Sequence, residues 1–168
     1  MLSLAIPYKI LYQIISKWND YTLTAVGIDV SKGKSTVAIR RPGGEVVLKS
    51  FNVNHTTSEL NALIETLSRI KGNVRIVIEH TGMYWRPVAH VLKEAGFFVS
   101  VISAMLIHDF SDNSIRKVKT DRADALKIAN YALPFWRDLR DYSPEDETRQ
   151  MLKRRADSMS GHRAQVLP

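Results

Sequence analysis

The fold is decided by residues 24–53, TAVGIDVSKGKSTVAIRRPGGEVVLKSFNV. Residues 24–30 are mostly apolar and predict one strand, residues 35–40 predict a second strand, and residues 45–53 predict a third. The intervening sequences, SKGK and RPGG, are typical of turns. Because these connections are too short for a crossover, the three strands should form an antiparallel meander.

Helical and extended patterns alternate beyond the meander. Leucine and isoleucine recur at helical spacing between residues 57 and 70, and two further helices are predicted at 84–95 and 121–133. Strands are predicted at 74–79 and 97–102. The order β-β-β-α-β-α-β-α predicts an α/β fold, with a mixed five-stranded sheet and helices on both faces.

Composition narrows the classes of function. The chain has 168 residues, enough for one domain with a core, and no cysteine, which excludes disulfides, thiolate zinc sites and cysteine nucleophiles. The absence of cysteine also fits a reducing cytoplasm, the location we expect. The net charge of +7 favours a polyanionic partner, most commonly nucleic acid, although it also serves general solubility.

The two ends of the chain lie outside the predicted domain, which spans residues 23–136. Residues 1–22 are predicted to form an extension with a short amphipathic helix, too short and too charged to span a membrane, so no membrane partner is expected. Ser143-Pro-Glu-Asp146 is typical of a helix start. Residues 137–168 are therefore expected to begin a helical or coiled-coil segment that is truncated.

Four carboxylates stand at the ends of predicted elements. Asp29 ends the first strand, Glu79 ends the fourth, and Asp121 and Asp124 share one face of a helix's first turn. A charged group ending an apolar strand is costly unless it is solvated, paired or metal-bound. We expect the carboxylates of Asp29 and Glu79 on adjacent strands, within about 8 Å of each other, forming a site for Mg²⁺ or Mn²⁺.

Each acid also has a plainer interpretation. Asp29 is a common turn former, Glu79 could be a solvated strand end, and one of Asp121 and Asp124 could simply cap its helix. Residues 107–120, which precede Asp121, are predicted to be irregular.

The surroundings of the acids suggest contact with a phosphate backbone. Small residues beside Asp29 leave room for such a backbone to approach. Basic residues near the acids are expected to contact phosphates: Lys32, Lys34, Lys117, Lys119 and Arg122.

Three motifs carry a family resemblance. GIDVSK at 27–32, EHTG at 79–82 and KTDRADA at 119–125 resemble the DEDD transposases of insertion sequence family one-hundred-ten, across residues 24–152. The resemblance implies an RNase H-like, RuvC-like catalytic domain that recombines DNA. It also implies that the four acids bind Mg²⁺ and act as catalytic groups. In some members a guide RNA encoded by the element directs the reaction.

The resemblance has a limit, and other interpretations stay open. Family members carry a downstream coiled coil and a domain with a strand-exchange serine, and this chain stops before both. We therefore expect only the full-length form to assemble as a homo-oligomer. From this chain we expect nucleic-acid binding and at most slow, metal-dependent nicking of DNA. One alternative is a non-catalytic nucleic-acid-binding remnant. Another alternative is an actin-like or sugar-kinase ATPase domain. Such a domain binds phosphates with glycine-rich loops, whereas the only pair of adjacent glycines in this sequence, Gly43-Gly44, lies in a predicted hairpin turn.

Overall fold

A computed structural model describes residues 22–80, 82–111 and 120–164. The predicted N-terminal helix, with all of residues 1–21, lies outside the described residues. None of the described helices is long and apolar enough to cross a membrane.

Five strands form one mixed sheet: β1 (Leu23–Ser31), β2 (Lys34–Arg40), β3 (Val46–Asn54), β4 (Asn73–His80) and β5 (Phe98–Ser103). Their order across the sheet is β3-β2-β1-β4-β5. β1 pairs antiparallel with β2, and β2 pairs antiparallel with β3, as the meander predicts. β4 lies parallel to β1 on its other side, and β5 lies parallel to β4. The predicted five-stranded sheet is confirmed.

Helices cover both faces of the sheet, as predicted. The helices are α1 (Thr57–Ser68), α2 (Trp85–Glu94), α3 (Ala104–Ser111), α4 (Asp121–Phe135) and α5 (Pro144–Ala164). On one face, Val26 and Ile28 of β1 pack among leucines and valines of α1 and α2. On the other face, Ala25 and Val77 pack against Ile128 of α4 and Ile107 of α3.

The helix α3 was not expected. Residues 107–111 were predicted to be irregular, and this prediction is wrong, because α3 extends to Ser111. Ile107 is buried beside Ile102, so a tertiary contact stabilises a segment whose local helical signal is weak. In the rest of the predicted irregular stretch, residues 112–119 lie outside the described residues, and Thr120 is the extended N-cap residue of α4.

The segment between α4 and α5 is tied to the outer edge of the sheet. The backbone N–H of Val99 donates to Asp141 Oδ1 at 3.1 Å, and the carbonyl of Val99 accepts from the Tyr142 N–H at 2.6 Å. These bonds cover part of an edge strand that would otherwise present unpaired backbone groups. α5 starts at Pro144 as predicted, and an ion pair at 2.6 Å between Arg86 and Glu147 holds its first turn to α2.

A candidate metal centre at the carboxyl edge of the sheet

Strand register brings two of the four acids together. Ile28 of β1 lies opposite Ile78 of the parallel strand β4, so Asp29 and Glu79 occupy the next positions on neighbouring strands. Side chains alternate between faces, so both acids lie on the face of Ala25 and Val77, which is covered by α4. The prediction that Asp29 and Glu79 lie on adjacent strands is confirmed.

A glycine lets α4 approach the strand that carries Asp29. A Cβ atom built on Gly27 would lie 2.3 Å from the carbonyl oxygen of Ala125 and 2.4 Å from the backbone nitrogen of Ala129. The helix backbone therefore rests directly on β1, two residues before Asp29. The space beside Asp29 was predicted to admit a phosphate backbone; that prediction is wrong, because α4 fills it.

The first turn of α4 presents the other two acids. Thr120 is the N-cap residue, and its Oγ1 accepts a hydrogen bond from the Ala123 N–H at 3.2 Å. The alternative in which Asp121 or Asp124 caps the helix is therefore wrong. Both carboxylates are left for interactions outside the helix backbone.

Two lysines pair with these acids. Lys34 Nζ, at the start of β2, lies 3.3 Å from Asp121 Oδ2, and Lys127 Nζ lies 2.7 Å from Asp124 Oδ1. Sequence reasoning missed Lys127, although its position three residues after Asp124 on a helix was a usable signal. Sequence reasoning assigned Lys34 to phosphate alone, whereas in this structure it balances an acid of the site.

The other three acids act electrostatically on Asp29. The pKa of Asp29 is raised from 3.8 to about 6, first by burial and then by the negative charges of Glu79, Asp124 and Asp121, in that order, while Lys34 lowers it. Three acids from two other segments therefore act on Asp29. This coupling is the strongest sign that β1, β4 and α4 contribute to one site.

The fit of a divalent cation rests on the chemistry of the donor set. Among the described residues, no three acidic or histidine side chains are gathered closely enough, as they lie, to hold a metal ion. Two of the four carboxylates are instead turned toward lysines. Carboxylate oxygens are the hard donors that Mg²⁺ and Mn²⁺ prefer, and a half-buried carboxylate repelled by three others is stabilised by a cation. The type of donor therefore suits such an ion, whereas the described side chains as they lie do not surround one common position.

The predicted phosphate contacts fall in two groups. Lys32 is exposed in the turn between β1 and β2, and Arg122 is exposed in the first turn of α4. Both flank the acids, and their contact with phosphate stays a prediction. Lys117 and Lys119 lie outside the described residues.

The raised pKa of Asp29 predicts a stability that depends on pH. A carboxyl group whose pKa rises from 3.8 to about 6 on folding binds more protons in the folded state. Its contribution to stability is fully present below pH 3.8 and is lost as the pH rises through 6. Asp29→Asn should therefore stabilise the metal-free protein by about 1–2 kcal/mol at pH 7.5 and by much less at pH 4. Urea unfolding at the two pH values measures this, and an equal effect at both would contradict it.

The sheet order and the helices on both faces of the sheet define an RNase H-like fold, of the kind that RuvC has. T. thermophilus RuvC in complex with a Holliday junction substrate aligns with a TM-score of 0.52 and 15% identity, covering 68% of this chain and 95% of that chain. This likeness shows the fold alone, and it confirms the predicted fold class.

The family follows from the sequence match. Residues 26–166 match the transposase family of DEDD type named for IS110, and the chain belongs to this family. Pilin gene-inverting proteins of Moraxella bovis and Moraxella lacunata are each 26% identical over 117 residues, or 67% of this chain. The chain spans 36% of the length of these relatives. Family membership favours a transposase over the ATPase alternative.

Proposed function

We propose that this chain supplies the strand-cleaving part of a DNA transposase or recombinase, with Asp29, Glu79, Asp121 and Asp124 as its Mg²⁺- or Mn²⁺-binding catalytic acids. The observation that carries the proposal is the electrostatic convergence of three acids on Asp29. A carboxyl group whose pKa is raised by burial and by neighbouring acids is typical of active sites. The proposal includes residues 23–136 as the catalytic domain and 137–168 as the start of a helical or coiled-coil segment.

The residues of the proposed site have two kinds of role: some carry charge, and others hold the acids in position. Divalent ions at such a site supply activation of an attacking oxygen and stabilisation of the leaving oxygen. Asp29 and Glu79 are fixed on rigid neighbouring strands, and Gly27 fixes α4 above them. Lys34 and Lys127 balance the charges of Asp121 and Asp124, a role that a bound cation would take over.

The lysines then become available to the substrate. If the acids held a cation, the ammonium groups of Lys34 and Lys127 would lie beside the site and would no longer be needed to balance Asp121 and Asp124. Together with Lys32 and Arg122 they can contact phosphates of a DNA strand, which is the substrate that the net charge of +7 favours. A guide RNA and a homo-oligomeric full-length form belong to the same proposal.

One observation favours a second candidate function. As the side chains lie, no three acidic or histidine residues in the described part of the chain could share an ion. A non-catalytic nucleic-acid-binding remnant would show this arrangement permanently, because its lysines would never be displaced by metal.

A cleavage assay separates the two functions. A labelled Holliday junction is incubated with the 168-residue chain in Mg²⁺, in Mn²⁺ and in a chelator. We expect strand nicks with either metal and a rate at least about 100-fold lower in the chelator, since the acids cannot replace the metal's role. Equal cleavage in the chelator would refute the metal site. Binding without cleavage in every condition would support the remnant.

A further inference from the structure

The acids belong to a row of side chains that crosses the sheet on the α4 face. Asp29 lies opposite Thr36 of β2, and Thr36 lies opposite Asn52 of β3. In the other direction, Glu79 lies opposite Ile102 of β5. The row is therefore apolar on one side of the acids and polar on the other.

The apolar side of the row is closed. Ile102 and Ile107 are both buried, and α3 packs there against α4. A charged nucleic-acid strand gains no polar contact in that direction and would have to displace a packed helix. The exposed part of the row lies in the other direction, at Asn52 of β3, beyond the buried Thr36 of β2.

On the polar side, one hydrogen bond sets the orientation of an exposed amide. Thr36 is only 2% exposed, and its hydroxyl donates to Asn52 Oδ1 at 3.1 Å. With its oxygen held at the sheet, the exposed Asn52 offers the two N–H donors of Nδ2 to the solvent side. The amide of Asn54, two residues further along β3, is already engaged, because its Nδ2 donates a hydrogen bond to Glu59 Oε1 at 2.7 Å.

Basic side chains border this amide. Lys34 precedes Thr36 by two residues on β2 and so lies on the same face. Arg122 lies one helical turn before Leu126, which packs beside Ala38 of β2, so Arg122 is on the β2 side of α4. Neighbouring strands are about 4.8 Å apart, which places Asn52 roughly 10 Å from Asp29. That distance corresponds to roughly two or three nucleotides at about 3.4 Å of rise each.

We propose that the DNA strand leaves the acids over β2 and β3, and that Asn52, held by Thr36, donates a hydrogen bond to a phosphate two or three nucleotides from the cleaved bond. The inference rests on the proposed function, because the acids define where cleavage occurs. Asn52 is a binding residue in this account, and Thr36 is a positioning residue.

Equilibrium binding to a labelled Holliday junction tests the proposal with a matched pair of variants. Asn52→Ala removes the amide beside the acids, and Asn61→Ala removes an exposed amide from α1 on the opposite face of the sheet. We expect Asn52→Ala to weaken binding roughly 3–10-fold, and Asn61→Ala to bind as the unaltered chain does. The dependence on salt should keep its slope in both variants, because asparagine is neutral and releases no counterion.

The positioning role of Thr36 has its own readout. Thr36→Val should weaken junction binding as Asn52→Ala does, and Thr36→Ser, which keeps the hydroxyl, should restore it. In the Asn52→Ala background, Thr36→Val should cause no further loss. If Thr36→Val weakened binding equally with and without the Asn52 amide, Thr36 would not act through Asn52.

Single methylphosphonate substitutions in the junction locate the contact. In the unaltered chain, removing the phosphate charge two or three nucleotides from the nick should weaken binding. In Asn52→Ala the same substitution should weaken binding less, because only the attraction to the neighbouring basic side chains is then lost. An identical interference pattern in the two proteins, or Asn52→Ala binding as tightly as Asn61→Ala, would overturn the proposed contact. These are binding measurements, so they fail independently of the metal-dependent cleavage that tests the proposed function.

Discussion

Replacing Gly27 with alanine is expected to destabilise the domain by about 3 kcal/mol or more. The added Cβ would lie 2.3 Å from the Ala125 carbonyl oxygen and 2.4 Å from the Ala129 nitrogen, both of which are backbone atoms of α4. Neither atom can turn aside as a flexible side chain would. The helix must therefore lift from β1, which separates Asp121 and Asp124 from Asp29.

Urea unfolding followed by circular dichroism measures the effect, with Gly96→Ala as the matched control. A Cβ on Gly96 meets nothing within 4 Å, and its φ of 87° adds only a local backbone cost. That cost is about 1–2 kcal/mol. If Gly27→Ala unfolded at the same urea concentration as Gly96→Ala, the close packing of α4 on β1 would be refuted.

The outline of the fold was predictable because its signals are local. Turn sequences, alternation and helical spacing defined the five strands and most helices. The packing of α4 against Gly27 was not predictable, since it depends on Ala125 and Ala129, about one hundred residues away in the chain. α3 was missed for the same kind of reason, because its helix depends on the burial of Ile107.

The candidate site was predictable only in part. The neighbouring positions of Asp29 and Glu79 follow from parallel pairing of two apolar strands that both end in an acid. The ion pairs of Lys34 and Lys127 did not follow, because lysine at such spacing is equally common on a solvated surface. The orientation of Asn52 by Thr36 depends on strand register, which the sequence did not define at the level of single residues.

Replacing Asp29 with asparagine is expected to lower the rate of metal-dependent DNA cleavage by at least about 100-fold. Asp29 is the acid on which Glu79, Asp121 and Asp124 converge, so its loss removes the centre of the proposed metal site. The amide has nearly the same shape, and the fold should be retained, with the gain in stability at neutral pH described above. Binding to DNA should be retained, because a negative charge beside the phosphates is removed.

The matched control is Asp138→Asn, which neutralises an exposed carboxylate just beyond the far end of α4 from the acids. It changes the net charge by the same amount as Asp29→Asn. Any loss of cleavage common to the two variants would therefore come from net charge rather than from the site.

The most direct test of the proposed catalytic site is the initial rate of Holliday-junction nicking in Mn²⁺ by the unaltered chain, Asp29→Asn and Asp138→Asn, with junction binding measured in parallel. The predicted result is that Asp29→Asn binds the junction but nicks it at least about 100-fold more slowly, while Asp138→Asn nicks it at the unaltered rate. Equal nicking rates for the unaltered chain and Asp29→Asn, at equal junction binding, would contradict the assignment of the four acids as the catalytic site.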